Sequence, residues 1–356
     1  MRPTLKPALS RVWRDQDTLQ FGTLRHHARV VDEVSRPVAA FLDLLDGTRE
    51  RPALLAAGER LGLGAALAEE LLGSLEQGGL LDDTAATTEA LAQHSRARQE
   101  LLAPDLASLS LVHPGPGGAA AVLGARARAR VEIRGAGRIG VAIGTALAAG
   151  GIGAVELLDQ GRVTAADCSP GGLAPGEIGR LRTTAAREAV QRAVGAPPTE
   201  RPRRPGPGGP PALVVLAPRD GSAAFTGLAA ESQRLMRAGI PHLYVGVLEH
   251  LGVVGPLVLP GVSACGSCAT LTRRDEDDCW PRLLAQLAPG AAGRPRTPAC
   301  DSALATTVAG LAALHAGLHL DGVRPPSVDG WCEVSAADGM TRRLRLRVHP
   351  DCGCTW

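Results

Sequence analysis

Residues 127–159 carry the pattern that most narrows the choice of folds. A run of strand-forming residues at 127–133 leads into Gly135-Ala-Gly-Arg-Ile-Gly140, a helical stretch follows at 141–149, and a second strand at 154–158 ends beside Asp159. Strand, glycine turn, helix and strand within about 30 residues form a βαβ unit, whose two strands run parallel. The alternation continues, with a buried strand at 212–217, a helix at 223–238 and another strand at 242–247. The predicted class is therefore α/β with a mostly parallel sheet. Gly135, Gly137 and Gly140 would let phosphate approach backbone N–H groups at the helix N-terminus, and Asp159 could accept hydrogen bonds from ribose hydroxyls. The same glycines serve helix–strand packing equally well, so the pattern speaks for a nucleotide fold more than for bound nucleotide.

The second constraint is a set of paired cysteines. Cys265-Gly-Ser-Cys268 and Cys352-Gly-Cys354 supply four thiolates, the number a tetrahedral zinc ion requires, and a C-x-x-C turn aims both sulfurs at one ion. A closed four-sulfur shell is structural, and here it would tie a C-terminal strand near 343–348 to the loop after Pro260. Two other readings stay open: a redox dithiol at Cys265 and Cys268, or four unrelated core cysteines. Cys168, Cys279, Cys300 and Cys332 are isolated and read as buried or incidental thiols.

Composition excludes several classes. Apolar residues are 45% and charged residues 21%, enough for a sizeable core. Lys plus Arg total 38 against 36 Asp plus Glu, so a net charge of +2 gives no electrostatic reason to expect nucleic acid or an anionic membrane as partner. No apolar segment follows the basic residues of 1–10, and the apolar stretch 141–155 is broken by glycines, so neither an export signal nor a membrane span is expected. The expected location is cytoplasmic, where eight cysteines are metal ligands before they are disulfides. Neither G-x-S-x-G nor H-E-x-x-H occurs, which leaves hydrolase readings without support.

The length of 356 residues suggests two domains. In 1–85, short β runs at 18–22 and 28–31 flank a polar turn holding His26 and His27, which reads as a solvated hairpin tip. Ser35 and Pro37 open a helix that stops at Gly47, two short helices follow at 51–58 and 64–75, and Gly78-Gly79 turns into a last strand. This order describes a small α+β winged helix. Residues 84–105 form a polar window without a sustained apolar face and Gly115 to Gly118 follow, so 86–120 reads as a linker, 121–356 as the nucleotide-fold domain, and 197–211 as a surface loop dominated by Pro, Gly and Arg. The charge run 273–278 reads as a solvated helix start, with Trp280 packing the segment down.

The block 135–159, the tract 213–220 and the two cysteine pairs resemble the superfamily of ThiF, MoeB and ubiquitin-activating adenylating enzymes over about residues 125–356. The resemblance implies a Rossmann-like sheet with structural zinc and a related homodimer. Active members carry Asp-x-Asp after the second strand, then Asn-Leu-x-Arg-Gln, then a helical lysine. Here Asp159 is kept, the second acid falls on Gly161, Asp167-Cys-Ser-Pro-Gly-Gly-Leu173 lacks the Arg-Gln pair, and Arg180 and Arg182 stand where the lysine is expected. Asp220 falls where the superfamily has its later acid. Loss of several phosphate-neutralising groups implies a component without most of the adenylating activity and puts ATP and Mg²⁺ in doubt, while Asp220 leaves room for a vestigial nucleotide site.

A narrower resemblance adds the N-terminus. Leu5-Lys-Pro-Ala-Leu-Ser-Arg-Val-Trp13, Thr18-Leu-Gln-Phe-Gly22, Phe41-Leu-Asp-Leu-Leu-Asp-Gly-Thr48 and Trp280-Pro281 are similar to the ThiF-like partners of YcaO cyclodehydratases. That family implies a PqqD-like element that captures a precursor's leader peptide as an added β-strand beside its third helix. Leu67, Leu71 and Leu72 are the candidate peptide-binding residues, with core packing as their plain alternative. The implied function is a leader-binding scaffold for azoline and azole formation by a separate YcaO enzyme. Two rivals remain: an active ATP-dependent adenylyltransferase, and a DNA-binding regulator, for which 64–75 is a poor surface because it contains Glu69 and Glu70 and no Lys or Arg.

Overall fold

The computed structural model describes residues 1–24, 28–195, 209–219, 228–287 and 299–355. His26, His27, Asp220, most of the 197–211 tract and the first residues of the 223–238 helix lie outside them. The chain divides into two compact units, Met1–Ala125 and Arg126–Trp356.

The first unit begins with β1 (Pro3–Leu5), β2 (Arg11–Trp13), β3 (Leu19–Phe21) and β4 (Arg29–Val31), followed by α1 (Arg36–Asp43), α2 (Arg51–Arg60), α3 (Ala65–Gln77) and β5 (Leu81–Asp83). β2, β3 and β4 form an antiparallel sheet in that order, and β1 pairs antiparallel with β5. Alternation along β3 drives Leu19 and Phe21 into a core shared with Phe41, Leu42, Leu54, Leu72, Leu75 and Leu81. Gly58 lets α2 approach Phe41, because a Cβ there would stand 3.0 Å from the ring.

The 86–120 stretch is not a linker. It contains most of α4 (Thr84–Leu91), all of α5 (Arg96–Val112) and the start of α6 (Gly118–Arg128). Leu102, Leu106 and Leu109 fall on one face of α5 and bury with Ala119 and Leu123 in a small core of their own. The stripe lies largely beyond residue 105, outside the polar window that suggests a linker. Lys6 is buried and donates from Nζ to the carbonyls of Ser110 (2.6 Å) and Pro114 (2.8 Å), which ties the N-terminus to the end of α5.

The second unit is built on a seven-stranded sheet. Its elements are β6 (Arg130–Arg134), α7 (Arg138–Ala149), β7 (Ala154–Leu158), α8 (Arg182–Ala193), β8 (Leu213–Leu216), α9 (Leu228–Arg237), β9 (His242–Leu248), β10 (Leu251–Val258), α10 (Gly266–Glu276), α11 (Trp280–Leu287), α12 (Ser302–Leu320), β11 (Gly330–Ser335) and β12 (Thr341–Arg345). Spatial order is β12-β11-β10-β9-β8-β6-β7. Pairs among β7, β6, β8 and β9 are parallel, as the βαβ pattern requires, and β10, β11 and β12 extend the sheet as an antiparallel meander. β6 starts at Arg130 rather than 127 because α6 continues to Arg128. β12 is an edge strand whose five residues are all exposed.

Alternation in β8 distributes the cores. Leu213 and Val215 face α7, α8 and α12, while Val214 and Leu216 face the opposite layer with Tyr244, Val258, Cys265 and Cys268. α12 is long and apolar enough to cross a membrane by length and composition, but Leu304, Ala305, Val308, Ala309, Ala312 and Ala316 bury it in the first of these cores. Its Val308 sits where a Cβ on Gly252 of β10 would be, 2.1 Å from Cγ2, so glycine lets the helix approach the strand.

Two buried histidines make this unit acid-sensitive. His242 is fully buried between the Ser232 hydroxyl and the Ile240 carbonyl (3.0 Å each), and His315 is buried on α12. Burial pushes both below the usual imidazole range. Both are neutral in the fold but protonate in the unfolded chain, so stability present near neutrality is lost as pH falls below about 6.5. The limiting slope is about 1.4 kcal/mol per pH unit per histidine. Urea midpoints at pH 7.5 and 5 will show the drop, and His242→Gln will flatten it; equal wild-type midpoints would refute the assignment.

Candidate functional site

Two clusters of polar chemistry stand on the second unit. The first is the thiolate cluster. Cys265 caps α10, Cys268 lies in that helix's first turn, and Cys352 and Cys354 follow β12. Cys265 Sγ lies 3.9 Å from Cys268 Sγ and 3.5 Å from Cys352 Sγ, and Cys268 Sγ lies 3.5 Å from Cys354 Sγ. All four sulfurs fall within 4.8 Å of one another, and among the described residues no other group of this kind could hold a metal ion. A tetrahedral shell with Zn–S bonds of 2.3 Å has sulfur–sulfur edges of about 3.8 Å, close to these separations. A disulfide would need a separation of about 2.05 Å.

The local sequence explains the cluster. Gly266 is required because a Cβ there would meet the Tyr244 hydroxyl at 2.5 Å. Gly353 adopts φ +66°, which lets the short Cys-Gly-Cys turn aim both thiols inward. His349 links the two segments: its backbone N–H donates to Cys268 Sγ (3.4 Å), its Nε2 pairs with Asp275 (2.8 Å), and its Nδ1 accepts from the Asp351 N–H (3.1 Å).

Electrostatics within the cluster call for a cation. Burial opposes the Cys268 thiolate, but N–H groups of His349 and Cys265 and the neighbouring thiols hold its pKa below the usual thiol value. Burial and the adjoining sulfurs push Cys354 up to about 12 and Cys352 higher still. One negative charge is therefore accommodated and further ones are resisted. A divalent ion held by the four sulfurs would supply the missing countercharge.

Arg273 and Trp280 sit beside this cluster. The charge run does not start a helix; its first four residues end α10, and the Arg273 guanidinium lies 5.0 Å over the Trp280 ring and 5.6 Å over Trp331. Cys168, Cys279, Cys300 and Cys332 take no part in the cluster.

The second site is the glycine turn between β6 and α7. Gly135 has φ +114°, and a Cβ there would lie 1.9 Å from the Ala217 carbonyl oxygen; a Cβ on Gly140 would lie 1.9 Å from the Gly135 oxygen. Both glycines are thus consumed by backbone packing. Asp159 Oδ2 accepts from the Ala136 N–H (2.7 Å), while Oδ1 accepts from the Gln160 N–H (2.6 Å) and Arg182 Nη1 (2.6 Å). Arg182 also donates to the carbonyls of Gln160 (2.8 Å) and Arg162 (2.7 Å), and its Nε lies 3.4 Å from Asp167 Oδ2. Asp167 in turn pairs with Arg219 Nε (2.5 Å) and accepts from the Thr164 N–H and hydroxyl (2.8 Å each). Burial works against the Asp167 carboxylate, yet these bonds hold its pKa below the usual carboxylate range. The result is a linear chain of alternating charge, Asp159, Arg182, Asp167 and Arg219.

Sequence reasoning locates Asp159 and notes Asp167 and Arg182 as departures, but not that they pair. Their spacing of 15 and 23 residues carries no local signal. Arg219 stands in no motif of the sequence, although it lies three residues after β8, where strand ends meet ligands in open α/β sheets.

The three leucines of α3 separate. Leu67 is 51% exposed, Leu71 is half-buried against the core, and Leu72 is 0% exposed. Leu72 is a core residue and cannot line a peptide groove. The outer strands β2 and β4 have no further strand beside them among the described residues, and Val12 and Val30, both facing away from the core, are exposed.

Residues 122–196 match the model of the ThiF family. No curated protein matches the sequence. Among solved structures, E. coli MccB with AMPCPP and MccA aligns at TM-score 0.70 and 14% identity, covering 100% of this chain and 99% of that one. E. coli MccB with ATP aligns at TM-score 0.69 and 14% identity, covering 100% of both chains. PaaA aligns at TM-score 0.66 and 17% identity, covering 96% of this chain and 100% of that one. The fold is that of MccB, with a ThiF-type α/β sheet.

Proposed function

We propose that this protein is a leader-binding scaffold that presents a ribosomally made precursor peptide to a YcaO-type cyclodehydratase for azoline and azole formation. The observation that carries the reading is the set of unextended strand edges in the first unit. A leader peptide added to such an edge would gain affinity through main-chain hydrogen bonds and specificity from apolar side chains, for which Leu67 and Leu71 are the candidates. The same fold in MccB has been solved in complex with N-formylated MccA. In this reading 1–85 is the PqqD-like element, the ion at Cys265, Cys268, Cys352 and Cys354 is zinc with a structural role, and the protein works in the cytoplasm as a homodimer.

Adenylation is the second reading, favoured by the MccB structures that hold ATP or AMPCPP. ATP with Mg²⁺ does not fit the residues at the turn of this chain. Asp159, the candidate ribose acceptor, is already engaged by the turn's own N–H and by Arg182, and the cations beside it are paired with Asp159 and Asp167. No chemical step is therefore assigned to Gly135, Gly137, Gly140 or Asp159.

Fluorescence anisotropy with labelled leader peptides from neighbouring short reading frames tests the scaffold reading. Wild type is expected to bind at micromolar Kd or tighter. Leu67→Glu is expected to weaken binding at least about tenfold, or 1.4 kcal/mol, without loss of fold, since Leu67 lies outside the core. Absence of leader binding together with ATP–pyrophosphate exchange would instead establish the adenylating enzyme.

A further inference from the structure

The glycine at 137 is the one glycine of the turn whose open side faces a side chain rather than backbone. A Cβ built there would lie 3.1 Å from Arg219 Cγ and 3.7 Å from Arg219 Cα and Cβ. In a phosphate-binding turn of this kind the second glycine is small so that a pyrophosphate can reach the backbone. Here the stem of Arg219 lies over that position. We propose that Arg219 is an internal latch that occupies the ligand face of the glycine turn and keeps nucleoside triphosphate out.

Three features fix the latch. Arg219 Nε meets Asp167 at 2.5 Å, and its Nη2 reaches the Thr164 hydroxyl at 3.3 Å. Asp167 is buried and also lies against Arg182, so it acts as the anion for two guanidinium groups. An incoming phosphate would have to take Arg219 from Asp167 and leave a buried carboxylate with fewer partners, a costly exchange at low dielectric. Arg219 is the movable member: its side chain is 38% exposed, against 5% for Arg182 and 3% for Asp167. The Arg219 charge alone would attract phosphate, so the latch and a phosphate-binding arginine predict opposite effects of removing it.

This inference deepens the non-adenylating reading, and its test does not depend on leader binding. Equilibrium dialysis of radiolabelled ATP with Mg²⁺ is run on the full chain as wild type, Arg219→Ala and Arg219→Ser, with circular dichroism verifying the fold of each. Wild type is expected to show no binding at millimolar nucleotide, and both variants at least a tenfold gain. Wild-type binding that the variants weaken would overturn the latch and make Arg219 a phosphate ligand. Absence of binding in all three would equally overturn it, because the exclusion would then not come from Arg219.

Discussion

Replacing Cys265 and Cys352 together by serine will release the metal ion and unfold the layer that carries α10 and the C-terminal segment. Metal analysis should find close to one ion per wild-type chain and none in the double variant. Structural zinc contributes roughly 10–16 kcal/mol in small domains that fold around it. Here a second core shares the task, so the expected loss is about 4 kcal/mol or more, read as a lower urea midpoint. The geometry explains why no partial site survives. Cys265 and Cys352 are neighbours at 3.5 Å, and removing both leaves only Cys268 and Cys354, two of the four ligands that a closed shell needs. Chelation of wild type should reproduce the same transition, while Cys279→Ser, at an exposed thiol, should leave metal content and midpoint unchanged. A metal-free wild type with an unchanged midpoint would refute the assignment.

Arg182→Ala is expected to cost about 3–5 kcal/mol, the range for removing one partner of a buried ion pair. Its guanidinium spans Asp159, Asp167 and two carbonyls, and its removal leaves two nearly buried carboxylates with less compensation. Arg182→Lys should recover little, because one ammonium cannot reach this set of acceptors at once. The pH dependence identifies the cause. In wild type, the depressed Asp167 pKa contributes stability that is present above the ordinary carboxylate range and lost as pH falls through the folded value. In the variant the buried Asp167 loses a positive charge 3.4 Å away, which favours its protonated form, so the deficit is largest near neutrality and shrinks in acid. The deficit at pH 3.5 should therefore be smaller than at pH 7.5; a deficit of equal size at both would point to lost packing.

How far the sequence reveals this molecule depends on the range of the interactions. The βαβ unit is legible because glycine spacing and apolar runs are local: β7 falls at the expected residues 154–158, and the β3–β4 hairpin lies within the expected runs. The cysteine pairs are legible because few other structures need that spacing. α5 is not, since Leu102, Leu106 and Leu109 become a stripe only when α6 arrives to cover them. α12 is apolar on nearly every side and shows no single helical face, and the β10–β12 meander depends on which edge of the sheet is left open. The exposure of Leu67 and burial of Leu72, both on α3, follow from how that helix packs. The charge chain at the glycine turn lies furthest from the sequence, because residues 159, 167, 182 and 219 meet only after three connections have closed.

The outermost strand has a consequence for how copies of this protein coexist. Among the described residues β12 has no further strand beside it, and it offers a row of main-chain groups at the end of a long sheet, the arrangement through which sheets join edge to edge. Arg342, Arg343 and Arg345 stand on it, all exposed. Guanidinium groups keep their charge across the physiological pH range, so two such edges repel one another in acid and at neutrality alike. Dissolved salt, rather than acidity, is what weakens that barrier.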